Sequence, residues 1–152
     1  MKNKIHNINV VAKEKLPSPK ALKDTLPLTT KARKTVLSKR KELMRILDGK
    51  DSRLVVVVGP CSIHDTNLAT DYALRLRKLS KEVEDAFLIL MRVYFEKPRT
   101  TTGWKGLIND PNIDDTFQID KGIHIARSLL IDLNEMGLGV ATEALDPIMP
   151  QY

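Results

Sequence analysis

The sequence predicts an α/β fold built on a parallel sheet, and reads as the front part of a larger α/β domain. Leu54-Val55-Val56-Val57-Val58 and Phe87-Leu88-Ile89-Leu90-Met91 are continuous apolar runs, the pattern of strands buried on both faces. Amphipathic stretches of helical period alternate with them, the order that gives right-handed crossovers between parallel strands. Only three strands can be placed in 152 residues, and a parallel edge left open is a liability.

Taken in order, residues 1–12 read as irregular or weakly extended. Residues 13–28, with Pro17, Pro19 and Pro27, read as a segment wrapped across a surface. Thr29 or Thr30 caps a helix to about Leu47, with Ala32, Val36, Leu43 and Leu47 at helical spacing, and Asp48-Gly49 stops it. Gly59-Pro60 ends the first strand. Asp65 or Thr66 opens a second helix to about Glu84, with Leu68, Tyr72, Leu76 and Leu79 near one face. After the second strand a long loop runs from about Tyr94 to Thr116. A third helix over 119–136 follows, with Ile123, Ala126, Leu129 and Leu133 among its apolar positions and Gly137 as its stop. Residues 139–143 read as a third strand. Residues 1–50 thus form an N-terminal extension with a helix, and 51–152 hold three strands and two helices.

Composition narrows the function classes. With 42% hydrophobic and 29% charged residues the chain is globular rather than disordered. It is too short for a complete (β/α)₈ barrel, which needs roughly 250 residues. One cysteine excludes an intramolecular disulfide and fits a reducing compartment. No apolar run reaches a membrane span, and no apolar segment follows Met1-Lys2-Asn3-Lys4, so a cytoplasmic protein without a membrane partner is expected. Residues 1–50 carry 14 Lys and Arg against 4 Asp and Glu, a net of +10; residues 51–152 have 11 against 15, a net of −4. The basic arm lacks aromatic residues altogether, and a solvated face is the reading preferred over nucleic-acid binding.

Sites in a parallel α/β fold form at the carboxyl ends of the strands. The first strand ends on Gly59-Pro60-Cys61-Ser62-Ile63-His64-Asp65, which presents Cys61 as a metal ligand, a nucleophile or a packing residue. Cys61 and His64 have the spacing of a ligand pair, a weak signal when it stands alone. The second strand runs into Arg92, Lys97, Arg99 and Lys105, four cations within fourteen residues. A guanidinium offers a rigid fork to phosphate or carboxylate, and an ammonium a compact charge, so this cluster reads as an anion site for phosphorylated substrates. Glu143, at the end of the third strand, is open to water-bridged metal binding, orienting a lysine, acting as a base, or pairing with a basic neighbour.

Three motifs carry a family resemblance: Gly-Pro-Cys-Ser-Ile-His-Asp at 59–65, Met-Arg-Val-Tyr-Phe-Glu-Lys-Pro-Arg-Thr at 91–100, and Gly-Trp-Lys-Gly-Leu-Ile-Asn-Asp-Pro at 103–111. The chain resembles the N-terminal part of 3-deoxy-D-arabino-heptulosonate 7-phosphate (DAHP) synthase of the class I, amino-acid-inhibited type. The resemblance implies a (β/α)₈ TIM barrel behind an N-terminal extension, with about three βα units present. It implies condensation of phosphoenolpyruvate with erythrose 4-phosphate, with release of phosphate, at the entry to aromatic amino acid biosynthesis. It implies that Cys61 is one ligand of a divalent metal ion, that Arg92 and Lys97 meet phosphoenolpyruvate, and that Pro98, Arg99 and Thr100 line the erythrose 4-phosphate site. It also implies an aromatic amino acid inhibitor held near the N-terminal segment and Pro150-Gln151, and a homo-oligomer at full length.

The sequence departs from the family in two ways. Ala144 follows Glu143 where the family usually has phenylalanine, and the family's other metal ligands come from later strands. The chain is therefore expected to be a truncated member, inactive alone and prone to associate. The alternative is a non-catalytic fragment or interaction module that needs a complementing chain.

Overall fold

The computed structural model describes residues 13–99 and 101–152; the expectation for residues 1–12 lies outside them, as does Thr100. Four α-helices and three strands follow one another as α1 (Pro19–Thr25), α2 (Thr30–Leu47), β1 (Leu54–Val58), α3 (Thr66–Glu82), β2 (Phe87–Arg92), α4 (Ile119–Glu135) and β3 (Val140–Ala141), with a short 3₁₀ helix at Met149–Gln151. The strands form one parallel sheet in the order β1-β2-β3, a mixed α/β arrangement as predicted.

The local chemistry explains most boundaries. The Thr29 hydroxyl accepts the Ala32 N–H and opens α2; the Asp65 carboxylate accepts the Asn67 and Leu68 N–H groups and opens α3. Beyond α2 and α4, Gly49 and Gly137 take the left-handed conformation that a helix stop requires. Helix α1 was not expected. The three prolines suggest a segment wrapped across a surface, but Pro19 sits in the first turn, where its missing N–H has no intrahelical partner to lose, and Ser18 caps it. Leu22, 1% exposed, then pins this helix to the core.

The sheet's register is Leu54↔Phe87 through Val58↔Met91 for β1 and β2, then Met91↔Val140 and Arg92↔Ala141 for β2 and β3. Ile89, Met91 and Val93 point into the main core with Ala73, Leu76, Ile123, Leu129 and Leu133. Here three expectations are corrected. Strand β1 is not buried on both faces: it is an edge strand, and Leu54 is 65% exposed. Strand β3 spans two residues rather than five, because the chain after Ala141 leaves the ladder. The buried stripe of α3 is Ala69-Ala73-Leu76, while Leu68 and Leu79 face outward; small side chains let this helix lie close to β2. In α2 likewise Ala32 is buried and Leu47 is exposed.

Helix α2 is tied to the start of β1 by a charged chain. Lys39 meets Glu42 at 3.0 Å, Glu42 meets Arg53 at 3.2 Å, and Arg53 meets Asp51 at 2.9 Å. Along α4, Gly122 lies so close to the Ile108 backbone that a methyl group there would collide with the Ile108 carbonyl. Alanine is favoured over glycine inside a helix by about 1 kcal/mol. We nevertheless expect Gly122→Ala to destabilise the fold by about 1 kcal/mol or more, because the obstacle is backbone. Urea unfolding checks this: the midpoint should fall at unchanged slope, and a raised midpoint would mean that α4 shifts freely.

Candidate active site

The carboxyl ends of β1 and β2 are drawn together by the side chain that follows β2's apolar run. Arg92 donates from Nε to the Pro60 carbonyl at 2.9 Å and from Nη2 to the Gly59 carbonyl at 2.8 Å. Its guanidinium also lies 5.4 Å from the Tyr94 ring centroid. Gly59 is needed for this approach, since a Cβ there would run into the Arg92 backbone. The Ile63 N–H and the Ser62 hydroxyl both donate to the Tyr94 carbonyl, at 2.7 and 3.3 Å, and complete the fastening.

Cys61 stands exposed at the head of this junction, and the Lys97 ammonium donates to its sulfur at 3.0 Å. That hydrogen bond and the charge of Lys97, with smaller help from Arg92 and Arg99, hold the thiol below its ordinary pKa of 9.0. The structure thus brings Cys61, Arg92, Lys97 and Arg99 to one place. Lys105 is turned elsewhere: its ammonium donates to the Arg99 carbonyl at 2.8 Å, and Arg99 donates from Nε to the Trp104 carbonyl at 3.1 Å. Lys105 therefore shapes the loop rather than facing the thiol. Pro98 lies between the two cations, and His64 is exposed. Among the described residues no three His, Cys, Asp or Glu side chains gather as a metal site, so Cys61 is not part of a three-ligand cluster there.

Among the described residues Glu143 pairs with no basic side chain. Its Oε1 accepts the N–H groups of Phe95 and Glu96, both at 2.7 Å, and the Thr142 hydroxyl donates to Oε2 at 3.0 Å. Glu96 was not singled out from sequence. Burial pushes its carboxyl pKa up, against a hydrogen bond from Asn109, and the charges of Asp146 and Glu143 add to the rise. The available signal was a lone acid inside a cationic run, directly after the buried Phe95. Asn109 and Trp104 hold the following loop, with Trp104 Nε1 donating to the Asp110 carbonyl at 2.7 Å. Ile113, Asp115 and Phe117 in that loop all have positive φ, a strained path for such side chains.

A groove of about 470 Å³ runs beside β3, with Phe95, Leu130, Ile131 and Val140 on its apolar walls and Lys23, Pro150 and Gln151 at its rim. The cation cluster does not line it; Glu96 and Glu143 do. The N-terminal segment and the end of the chain meet here, since the Tyr152 hydroxyl donates to the Pro17 carbonyl at 2.8 Å.

A family model described as the DAHP synthetase I family matches residues 25–152. The chain belongs to that family. Among DAHP synthetase I relatives, the Tyr-sensitive phospho-2-dehydro-3-deoxyheptonate aldolase of Escherichia coli (strain K12) is 49% identical over 99% of this chain and 42% of its own length. The Phe-sensitive aldolase of the same strain is 57% identical over 92% of this chain and 40% of its own. A solved structure of the phospho-2-dehydro-3-deoxyheptonate aldolase from Francisella tularensis SCHU S4 matches with a TM-score of 0.91 at 50% identity, over 95% of this chain and 42% of that one. The chain thus spans about two fifths of the length of these DAHP synthetase I relatives. No helix among the described residues is long and apolar enough to cross a membrane.

The lowered thiol pKa makes a test. The pH midpoint for alkylation of Cys61 by iodoacetamide should lie below that of an ordinary cysteine, and Lys97→Met should move it upward. An unmoved midpoint in Lys97→Met would show that Lys97 does not hold the thiolate.

Proposed function

We propose that the chain forms the phosphate-binding end of a DAHP synthase active site, which condenses phosphoenolpyruvate with erythrose 4-phosphate. The observation that carries this reading is the convergence of Arg92, Lys97 and Arg99 on Cys61 at the carboxyl ends of two neighbouring parallel strands. On this reading residues 1–50 are an extension, and 51–152 are the first three strands and two helices of a TIM barrel. The exposed apolar surface of β1 supports it, since Leu54, Val57 and Val58 are residues of a strand that expects cover.

The roles follow from the donors that remain free. Two of the five N–H groups of the Arg92 guanidinium are used on Gly59 and Pro60, so three are left for an oxygen anion. Lys97, on Cys61, offers its remaining protons to the same anion. Arg99 and Pro98, further along, face the second phosphorylated substrate, with Thr100 beside them in sequence. Cys61 would give a divalent metal one thiolate ligand, and such a metal would polarise a carbonyl oxygen. By themselves, this chain's residues carry anion binding. Turnover by the chain alone is expected to be absent, because no three-ligand metal site forms around Cys61 among the described residues. A second role follows from the groove beside β3. Its apolar walls, with Lys23 and Gln151 at the rim, suit an aromatic amino acid, and the Tyr-sensitive and Phe-sensitive relatives are named for such inhibition.

Isothermal titration of phosphoenolpyruvate into the chain tests the main reading. A charged hydrogen bond is worth about 1.5–3 kcal/mol, so Arg92→Ala should weaken binding by roughly ten- to a hundredfold. Phosphoenolpyruvate that binds neither protein, or both equally, would sink the proposal. A phosphate-release assay with both substrates and added divalent metal checks the expected silence.

A further inference from the structure

We propose that Glu143 is a positioning residue: its carboxylate sets the backbone at Phe95–Glu96 and thereby aims Lys97 at the anion site. The inference rests on the reading of Lys97 as an anion-binding group, and deepens it. The parallel ladder between β2 and β3 has a regular step. Met91 N–H donates to the Gly139 carbonyl and Val93 N–H to the Ala141 carbonyl, so the next rung pairs Phe95 N–H with residue 143. It does, but through the side chain: Oε1 of Glu143 takes the place of that residue's own carbonyl. The same oxygen also takes the Glu96 N–H, which a strand would leave pointing away. One carboxylate thus continues the sheet's bonding while the chain at 95–97 bends out of the strand direction.

The bend matters for its placement of Lys97. The Lys97 N–H is held by the Lys105 carbonyl at 2.9 Å, and its side chain reaches Cys61. Phe95, buried, anchors the start of the turn. Remove the carboxylate and two adjacent N–H groups lose their acceptor, with no other backbone carbonyl bonded to them. Thr142 restricts the carboxylate from the far side. A glutamine can do the same work: its carbonyl oxygen accepts both N–H groups, and its NH₂ donates to the Thr142 hydroxyl, which accepts as readily as it donates. A general base or a ligand for metal-bound water cannot be replaced in this way.

The test uses the whole chain, labelled with ¹⁵N, as wild type, Glu143→Gln and Glu143→Ala. Amide exchange at Phe95 and Glu96 should speed up about tenfold or more in Glu143→Ala and stay within about threefold of wild type in Glu143→Gln. Exchange at Met91 and Val93 should be unchanged in both, which separates a local effect from unfolding. The nuclear Overhauser contact between the Lys97 ε-methylene and the Cys61 β-methylene should persist in Glu143→Gln and vanish in Glu143→Ala. Inorganic phosphate, titrated as the probe, should bind Glu143→Ala about tenfold more weakly and Glu143→Gln as wild type does. Unchanged exchange in Glu143→Ala, an intact Lys97–Cys61 contact in it, or loss of phosphate binding in Glu143→Gln with normal exchange would each overturn the proposal. A wild-type chain that binds no phosphate would instead sink the anion-site reading, while exchange and the Overhauser contact still decide what Glu143 does.

Discussion

Two hydrogen bonds from one guanidinium, Arg92 to the carbonyls of Gly59 and Pro60, hold together the end of the sheet where the candidate site lies. They cross between adjacent strands and require a planar donor with two N–H groups aimed side by side, which lysine cannot supply. The glycine at 59 is a corollary of the same approach, for any side chain there meets the Arg92 backbone. With that junction in place, Tyr94 receives Ser62 and Ile63, and Lys97 arrives at Cys61. The turn after β1 and the turn after β2 behave as one unit.

On the proposed reading, this arrangement gives Arg92 two duties. An arginine that binds a phosphate while holding two carbonyls is pre-set in orientation, so less freedom is lost when the anion arrives. Acidic groups stand nearby in turn. Burial raises the Glu96 carboxyl pKa, and Asp146 and Glu143 stand close enough for their charges to add to that rise. Asp146 spends itself on the Ile148 and Met149 N–H groups, and Glu143 on Phe95 and Glu96, so that two of the three carboxylates are held by backbone amides rather than by the cations.

Much of this was legible in the residues. The two apolar runs marked the bounds of β2 nearly to the residue and of β1 to the residue, although only β2 has neighbours on both sides in the sheet. Thr29, Asp65, Gly49 and Gly137 marked helix ends through chemistry local to each. What was not legible depended on tertiary surroundings. The buried stripe of α3 runs through Ala69 and Ala73 because small side chains let that face lie close to the sheet, which apolar spacing alone does not show. Helix α1 was hidden by prolines whose position in the first turn is harmless. At the site, the cation cluster was visible as spacing in the sequence. Glu143 was visible only as a carboxylate of undecided use, since its partners are backbone amides, which leave no trace in a sequence. The reversal of Lys105 onto Arg99 could not be read either, for both belong to one basic run and only the fold of the loop separates them.

The site's bonds also have long reach along the chain. Arg92 to Pro60 spans 32 residues, Lys97 to Cys61 spans 36, and Glu143 to Phe95 spans 48. Each closes a loop whose entropy must be met before any local reward is collected. Arg92 and Lys97 can therefore reach their partners only once β1 and β2 have paired, and Glu143 can reach Phe95 only once β3 has joined them. A chain emerging from the ribosome up to the end of α4 would hold Cys61, Arg92 and Lys97 and still lack the carboxylate that sets the last of them.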